Sequence, residues 1–184
     1  MQLSAKSTAL VLIDLQKGIL GMNAAPHPAM EVYQRSMKLA QRVRDAGGLV
    51  VRVRVSFSAG GVDAPKQPVD QPSNFGSLPP DWDQFPEPPA TGDVVITKRQ
   101  WGAFTGTELD LQLRRRGIRC IVLGGISTNI GVESTARNAW ELGYELVIAE
   151  DLCTTSSAEM HAFAFKNIFP RLSRAATSEA IQFG

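Results

Sequence analysis

Residues 118–140 read IRCIVLGGISTNIGVESTARNAW. The stretch opens as an apolar run, 118–125, and from about Val132 takes on the spacing of a helix, so its middle is a strand-turn-helix corner. Corners of this kind commonly present a nucleophile or cradle a phosphate. This one holds neither Cys nor His and has no glycine-lysine phosphate motif. Where a nucleophile is expected stands Gly131.

Outward from the corner, short runs of Val, Ile and Leu alternate with helical periodicity. ALVLID (9–14) precedes a helix over 28–45, and GLVVRVRVS (48–56) and DVVITK (93–98) precede a helix over 107–116. After the corner come a helix over 132–142, YELVIAED (144–151), a helix over 157–169 and a weak last strand near 176–181. Strands apolar on both faces and separated by helices are parallel strands covered on both sides, which predicts an α/β, three-layer sandwich with right-handed crossovers. Residues 57–92 break the rhythm: they hold eight of the eleven prolines and match neither helix nor strand, as lids and interface arms do.

Composition bounds the function. With 184 residues, 43% of them apolar and 20% charged, the chain is expected to fold as one domain over 1–184. A formal charge of +1 offers no electrostatic case for nucleic acid or an anionic membrane. The basic cluster LRRRGIR (113–119) falls at a helix end, where cations complement the helix dipole. Cys120 and Cys153 lie in or beside apolar strands without a disulfide or metal-ligand pattern, which suits a reducing cytoplasm. The apolar run beside Asp14 is too short for a signal sequence or a membrane span.

Open parallel sheets bind ligands beyond the carboxyl ends of their strands, where strand order reverses. Three strand ends here carry Asp14, Lys98 and the corner itself, so a carboxylate, an ammonium and backbone donors are expected at one edge. An Asp there is often only a helix cap and a lone Lys is often solvated, but their convergence points to chemistry.

The blocks ALVLIDLQ, KRQWGAFTGTELDLQL and IVLGGISTNIGVESTARNAWELGYELVIAEDLCTTSS, in this order and spacing, resemble the isochorismatase-like hydrolase superfamily over nearly the whole chain. The resemblance implies a Rossmann-like, six-stranded parallel sheet in the order 3-2-1-4-5-6 and a homo-oligomer, a dimer or larger. Most of the superfamily works with an Asp-Lys-Cys triad, which maps onto Asp14, Lys98 and Gly131, so the thiol is missing here. Members with Gly at this point cleave a vinyl ether without a covalent intermediate: the Asp protonates the enol ether carbon, water captures the oxocarbenium-like centre, and the Gly leaves room for substrate. An apolar wall before Asp14 would raise its pKa and Lys98 would lower it, and the sequence leaves open which prevails.

The isochorismate-cleaving members carry a Tyr at the position of Ser127 and a Gln where this chain reads SFSAGG, so isochorismate itself is not the expected substrate. A small molecule lined by Phe57, Trp101, Phe104, Ser127 and Asn129 is expected, the aromatics being equally readable as core. Metal-holding members place an Asp-x-His pair and a further His after the second strand. No His occurs over 28–160 here, so no metal and no cofactor are expected, and His161 reads as a packing or hydrogen-bonding residue. The resemblance also implies a cis peptide at Ile126–Ser127 and an oxyanion hole from the N–H groups of Asn129 to Gly131. The reading that follows is a cysteine-independent hydrolase. A degenerate binder without turnover and an amide hydrolase with a displaced nucleophile such as Cys153 are the alternatives.

Overall fold

The computed structural model describes residues 1–72 and 78–184, so residues 73–77 of the Pro-rich segment lie outside the described residues. A six-stranded parallel sheet is built from β2 (Thr8–Ile13), β3 (Leu49–Val55), β4 (Val94–Lys98), β5 (Cys120–Ile126), β6 (Glu145–Thr154) and β7 (Arg174–Ala176), in the order β4-β3-β2-β5-β6-β7. Counted along the chain this is 3-2-1-4-5-6, the expected α/β sandwich. Every residue of β2 and β5 is buried, which is why these two runs read as uninterrupted apolar sequence.

Side chains alternate between the two faces of the sheet. Leu10, Leu12, Val50, Val122 and Val147 pack against Leu39 and Val43 of α2 (Ala29–Asp45). Val11, Ile13, Val53, Leu123 and Ile148 face Leu109 and Leu113 of α3 (Leu109–Arg115) and Ala136 and Ala139 of α4 (Glu133–Glu141). Arg114 and Arg115 occupy the last turn of α3, as the helix-dipole reading of the basic cluster requires.

The chain departs from the sequence expectation at its end. The last sheet strand is Arg174–Ala176 rather than a strand near 176–181; Ser178–Ala180 form a 3-10 turn. Ser178 is drawn out of the sheet because its N–H and hydroxyl both donate to Asp151, at 2.6 Å each. The final pair β8 (Gln182–Phe183) joins β1 (Gln2–Leu3) in a separate two-stranded parallel sheet. The expected helix over 157–169 is α5 (Ala158–Phe163) continued by a π-turn, Ala164–Ile168, and a 3-10 turn that contains Pro170.

The described part of the 57–92 segment is docked on the body of the protein. The N–H groups of Lys17 and Gly18, at the start of α1 (Lys17–Leu20), donate to the carbonyls of Gln84 (2.9 Å) and Trp82 (2.8 Å). A Cβ on Gly18 would stand 2.9 Å from that of Trp82, so a glycine permits the approach. Farther along, the buried guanidinium of Arg52 lies 4.1 Å over the Phe85 ring and donates to the Glu87 carbonyl at 3.0 Å. Among the described residues no helix is long and apolar enough to cross a membrane.

Candidate active site

Strand order reverses between β2 and β5, and the three strand ends meet there. At the end of β2 the backbone turns into the left-handed region at Asp14, φ 55°, a conformation Asp tolerates better than most residues. Asp14 Oδ2 accepts a 2.7 Å hydrogen bond from Lys98 Nζ, which reaches it from the end of β4 and also donates to the Gln100 carbonyl at 3.0 Å. Both residues are buried. Asp14 Oδ1 is buried as well and has no hydrogen-bond partner among the described residues.

Burial and Lys98 pull the carboxyl in opposite directions, and burial prevails. Desolvation raises the Asp14 pKa from its ordinary value of 3.8 to about 6 against the pull of the Lys98 ammonium.

The corner is made by backbone contact. Gly125, at φ 136°, presses so closely on β2 that a Cβ there would lie 2.2 Å from the Ile13 carbonyl oxygen, which excludes any side chain. The Ile126–Ser127 peptide is cis, as the resemblance implies. Thr128–Val132 then form a single π-turn that leads into α4, and the Ser127 carbonyl accepts from the N–H groups of Ile130 and Val132, both at 3.1 Å. The N–H of Ile130, in the middle of the expected oxyanion hole, is therefore engaged within the corner.

This turn lays Gly131 against the acid. A Cβ at Gly131 would stand 3.1 Å from Ile13 Cγ2, 3.3 Å from Asp14 Oδ2 and 3.5 Å from the Trp101 carbonyl oxygen. The backbone of Gly131 is not left-handed, so its conformation does not demand glycine. Asp14, Lys98 and Gly131 are thus brought together at one point.

The expected lining residues are distributed differently. Phe57 is half-buried and stacks on Trp82, centroids 5.9 Å apart. Trp101 is 62% exposed, with its carbonyl turned toward Gly131. Phe104 belongs to the core, buried 5.8 Å from the Tyr144 ring, the ordinary alternative for an aromatic in this sequence. Ser127 caps the π-turn through its carbonyl, and Asn129 Oδ1 accepts from Thr155 Oγ1 at 2.7 Å. Cys153 is fully buried within β6, opposite Gly125, and burial pushes its thiol far up, so it lacks thiolate character.

Several positioning residues have no signature in the sequence. The buried amide of Gln16 bridges the end of β3 to the Pro-rich segment: its Oε1 accepts from the Val55 N–H at 2.9 Å, and its Nε2 donates to the carbonyls of Val55 (2.9 Å) and Trp82 (3.3 Å). Thr135 Oγ1 donates to the Gly131 carbonyl at 2.7 Å and accepts from the Ala103 N–H at 3.1 Å, which locks the 101–104 segment to the corner. A Cβ on Gly102 would lie 2.6 Å from Asn138 Oδ1, the end of a side chain that would have to turn aside, and 3.7 Å from the Ser134 backbone. His27, Glu150 and His161 also converge, with ligand atoms within 4.8 Å of one another. They were invisible as a set because they lie far apart in the chain.

Comparison with known proteins gives concordant results. Residues 8–180 match the isochorismatase domain family model. The isochorismatase family protein YecD of Escherichia coli O157:H7 is 56% identical over 98% of this chain and 97% of its own length. The isochorismatase family protein YwoC of Bacillus subtilis is 46% identical over 97% of this chain and 94% of its own. A solved isochorismatase family protein from Burkholderia thailandensis superposes with a TM-score of 0.90 at 44% identity, covering 96% of this chain and 94% of that one.

Proposed function

Since the chain belongs to the isochorismatase family, we propose that it hydrolyses a small molecule by proton transfer through Asp14, without a cysteine nucleophile, at a vinyl ether or related bond. One observation carries the reading. A buried carboxyl of raised pKa has one oxygen fixed by Lys98 and the other without a partner, and beside it the chain omits a side chain at Gly131. A carboxyl group that titrates near neutrality is suited to both donating and accepting a proton.

In this mechanism the protonated Asp14 carboxyl protonates the enol ether carbon, whose π electrons form the new C–H bond and leave an oxocarbenium centre. Water adds to that centre and returns its proton to the Asp14 carboxylate. The resulting hemiketal collapses to a carbonyl compound and an alcohol, and the acid is regenerated. Lys98 orients Oδ2 throughout and stabilises the carboxylate formed after the first step. The N–H groups of Asn129 and Gly131 lie in the opening turn of a helix, where backbone donors lack intrahelical acceptors, and they serve a negatively charged substrate oxygen. Trp101, Phe57 and Ser127 line the approach. The thiol-based alternative is weakened by the burial of Cys153.

The test is turnover of a panel of enol ethers and amides by the wild type and by Asp14→Asn. Enol ether cleavage that disappears in the variant supports the reading. Ligand binding without turnover by the wild type would make the protein a binder, and amide hydrolysis surviving in Asp14→Asn would require another catalyst.

A further inference from the structure

His27 lies on the loop between α1 and α2, Glu150 in β6, and His161 in α5. Each is fixed by its own element. The loop is pinned to the end of β6 by the Ala25–Thr155 bridge and by Thr154 Oγ1, which donates to the His27 carbonyl at 2.7 Å. Between the pairs Leu123–Ile148 and Gly125–Cys153, β5 advances two residues while β6 advances five, and Glu150 falls in the irregular stretch so produced. His161 is buried, its ring 4.6 Å from that of Phe165.

The two imidazoles point at the same atom. His161 Nε2 lies 3.0 Å and His27 Nε2 3.2 Å from Glu150 Oε1. Ligand atoms about 2.0–2.1 Å from a tetrahedral zinc ion stand roughly 3.3 Å from one another, and all three ligand atoms here lie within 4.8 Å of one another, so side-chain rotation has to close the set on an ion. The outer partner is also in place: His161 Nδ1 is 2.9 Å from Thr128 Oγ1. A hydroxyl both donates and accepts, so His161 can move its proton to Nδ1 and free Nε2 without losing that bond. His27 and Glu150 are partly exposed, which leaves a path for an ion and its water.

We propose that His27, Glu150 and His161 form a binding site for a late first-row divalent cation, with zinc preferred and water completing the tetrahedron. Two imidazoles and one carboxylate suit such ions and not magnesium or calcium, which prefer oxygen donors. The ion ties the 21–28 loop to β6 and α5 and, through Thr128, braces the π-turn that carries Gly131. The site shares no residue with the mechanism proposed for Asp14.

Protein stripped with EDTA is titrated with Zn²⁺ by calorimetry and with Co²⁺ by visible absorption. The expected result is saturable uptake of one ion per chain, a rise in Tm, and the intense d–d bands of tetrahedral Co²⁺. His27→Ala and Glu150→Gln, both at partly exposed positions, are expected to weaken uptake about tenfold or more, with the circular dichroism of the metal-free protein unchanged. No saturable uptake by the wild type, or uptake by both variants as tight as the wild type's, overturns the proposal and leaves the three side chains as a hydrogen-bonded relay.

Discussion

Lys98 Nζ holds one oxygen of Asp14 at 2.7 Å and leaves the other, buried Oδ1, without a partner among the described residues. A pair serving stability alone would be expected to satisfy both carboxylate oxygens, because an unpaired buried acceptor costs free energy. Asp14→Asn is therefore expected to lower turnover about a hundredfold or more, the scale of general acid-base catalysis, while ligand binding measured by calorimetry persists. Full turnover by a folded Asp14→Asn protein would remove the mechanism.

The raised pKa of Asp14 has consequences in two experiments, and their signs follow from its direction. If the protonated carboxyl is the acid, kcat/KM holds below about pH 6 and declines above it. The same shift bears on stability. A carboxyl at 3.8 when unfolded and about 6 when folded binds its proton more tightly in the native state. Its stabilising contribution is fully present below pH 3.8 and is lost as pH rises through about 6. Relative to Asp14→Asn, the wild type should lose Tm over that interval. A difference in Tm that stays flat, or grows with pH, would contradict the assignment.

The strands that build this site are legible because each is an apolar run with a distinct end: Asp14 after TALVLI, Lys98 after VVIT, and Gly124 and Gly125 at the end of the 118–125 run. The last strand is not, because Arg174–Ala176 contains no β-branched or aromatic residue and owes its place to pairing with Val147–Ala149. Nor could sequence separate Phe104 from Trp101, two aromatics three residues apart. The Ala103 N–H donates to Thr135 Oγ1 and ties the segment to α4, with Phe104 in the core and Trp101 at the surface. Gln16 and Thr135 leave no signal in the sequence because amides and hydroxyls carry no pattern, and their roles exist only once Val55, Trp82, Ala103 and Gly131 are assembled around them.

That separation is testable. Phe104→Ala removes a buried ring and is expected to cost about 3–5 kcal/mol of unfolding free energy. Trp101→Ala, at an exposed position, should change Tm little and instead raise KM. Denaturant unfolding and steady-state kinetics on both variants distinguish core from lining. A stable Phe104→Ala protein with altered KM would return that ring to the site.

Thiol chemistry should be dispensable. Cys120 and Cys153 are both buried with their pKa values raised by desolvation, so iodoacetamide is expected to leave turnover intact and Cys153→Ala to remain active. Inactivation that substrate protects against would restore the displaced-nucleophile reading.

Assembly is open to direct measurement. Trp101, Trp140, Met160 and Phe163 are exposed apolar side chains, and Trp82 and Gln84 of the proline-rich segment are hydrogen-bonded to the start of α1. Light scattering coupled to size exclusion is expected to give a dimer or larger. A monomer at all concentrations would leave the segment as a lid.

Gly131→Cys bears most directly on the role proposed for the space beside Asp14. The backbone there is not left-handed, so a side chain is not excluded by conformation, and the obstacle is space. Its Cβ would come within 3.1 Å of Ile13 Cγ2 and 3.3 Å of Asp14 Oδ2, so the neighbours must yield by a few tenths of an ångström. Overpacking of this kind costs about 1–3 kcal/mol, and a modest fall in Tm is expected. The sulfur would occupy the volume beside Asp14 that the proposed substrate needs, so native turnover should drop at least as far as in Asp14→Asn. The new thiol, between a carboxylate that can take its proton and the Lys98 ammonium, should alkylate faster than Cys120 or Cys153. Low amidase activity appearing in the variant would support a corner that lacks only its nucleophile. A stable Gly131→Cys protein with an inert thiol and unchanged native turnover would mean that the reaction occurs elsewhere, however close Asp14, Lys98 and Gly131 stand to one another.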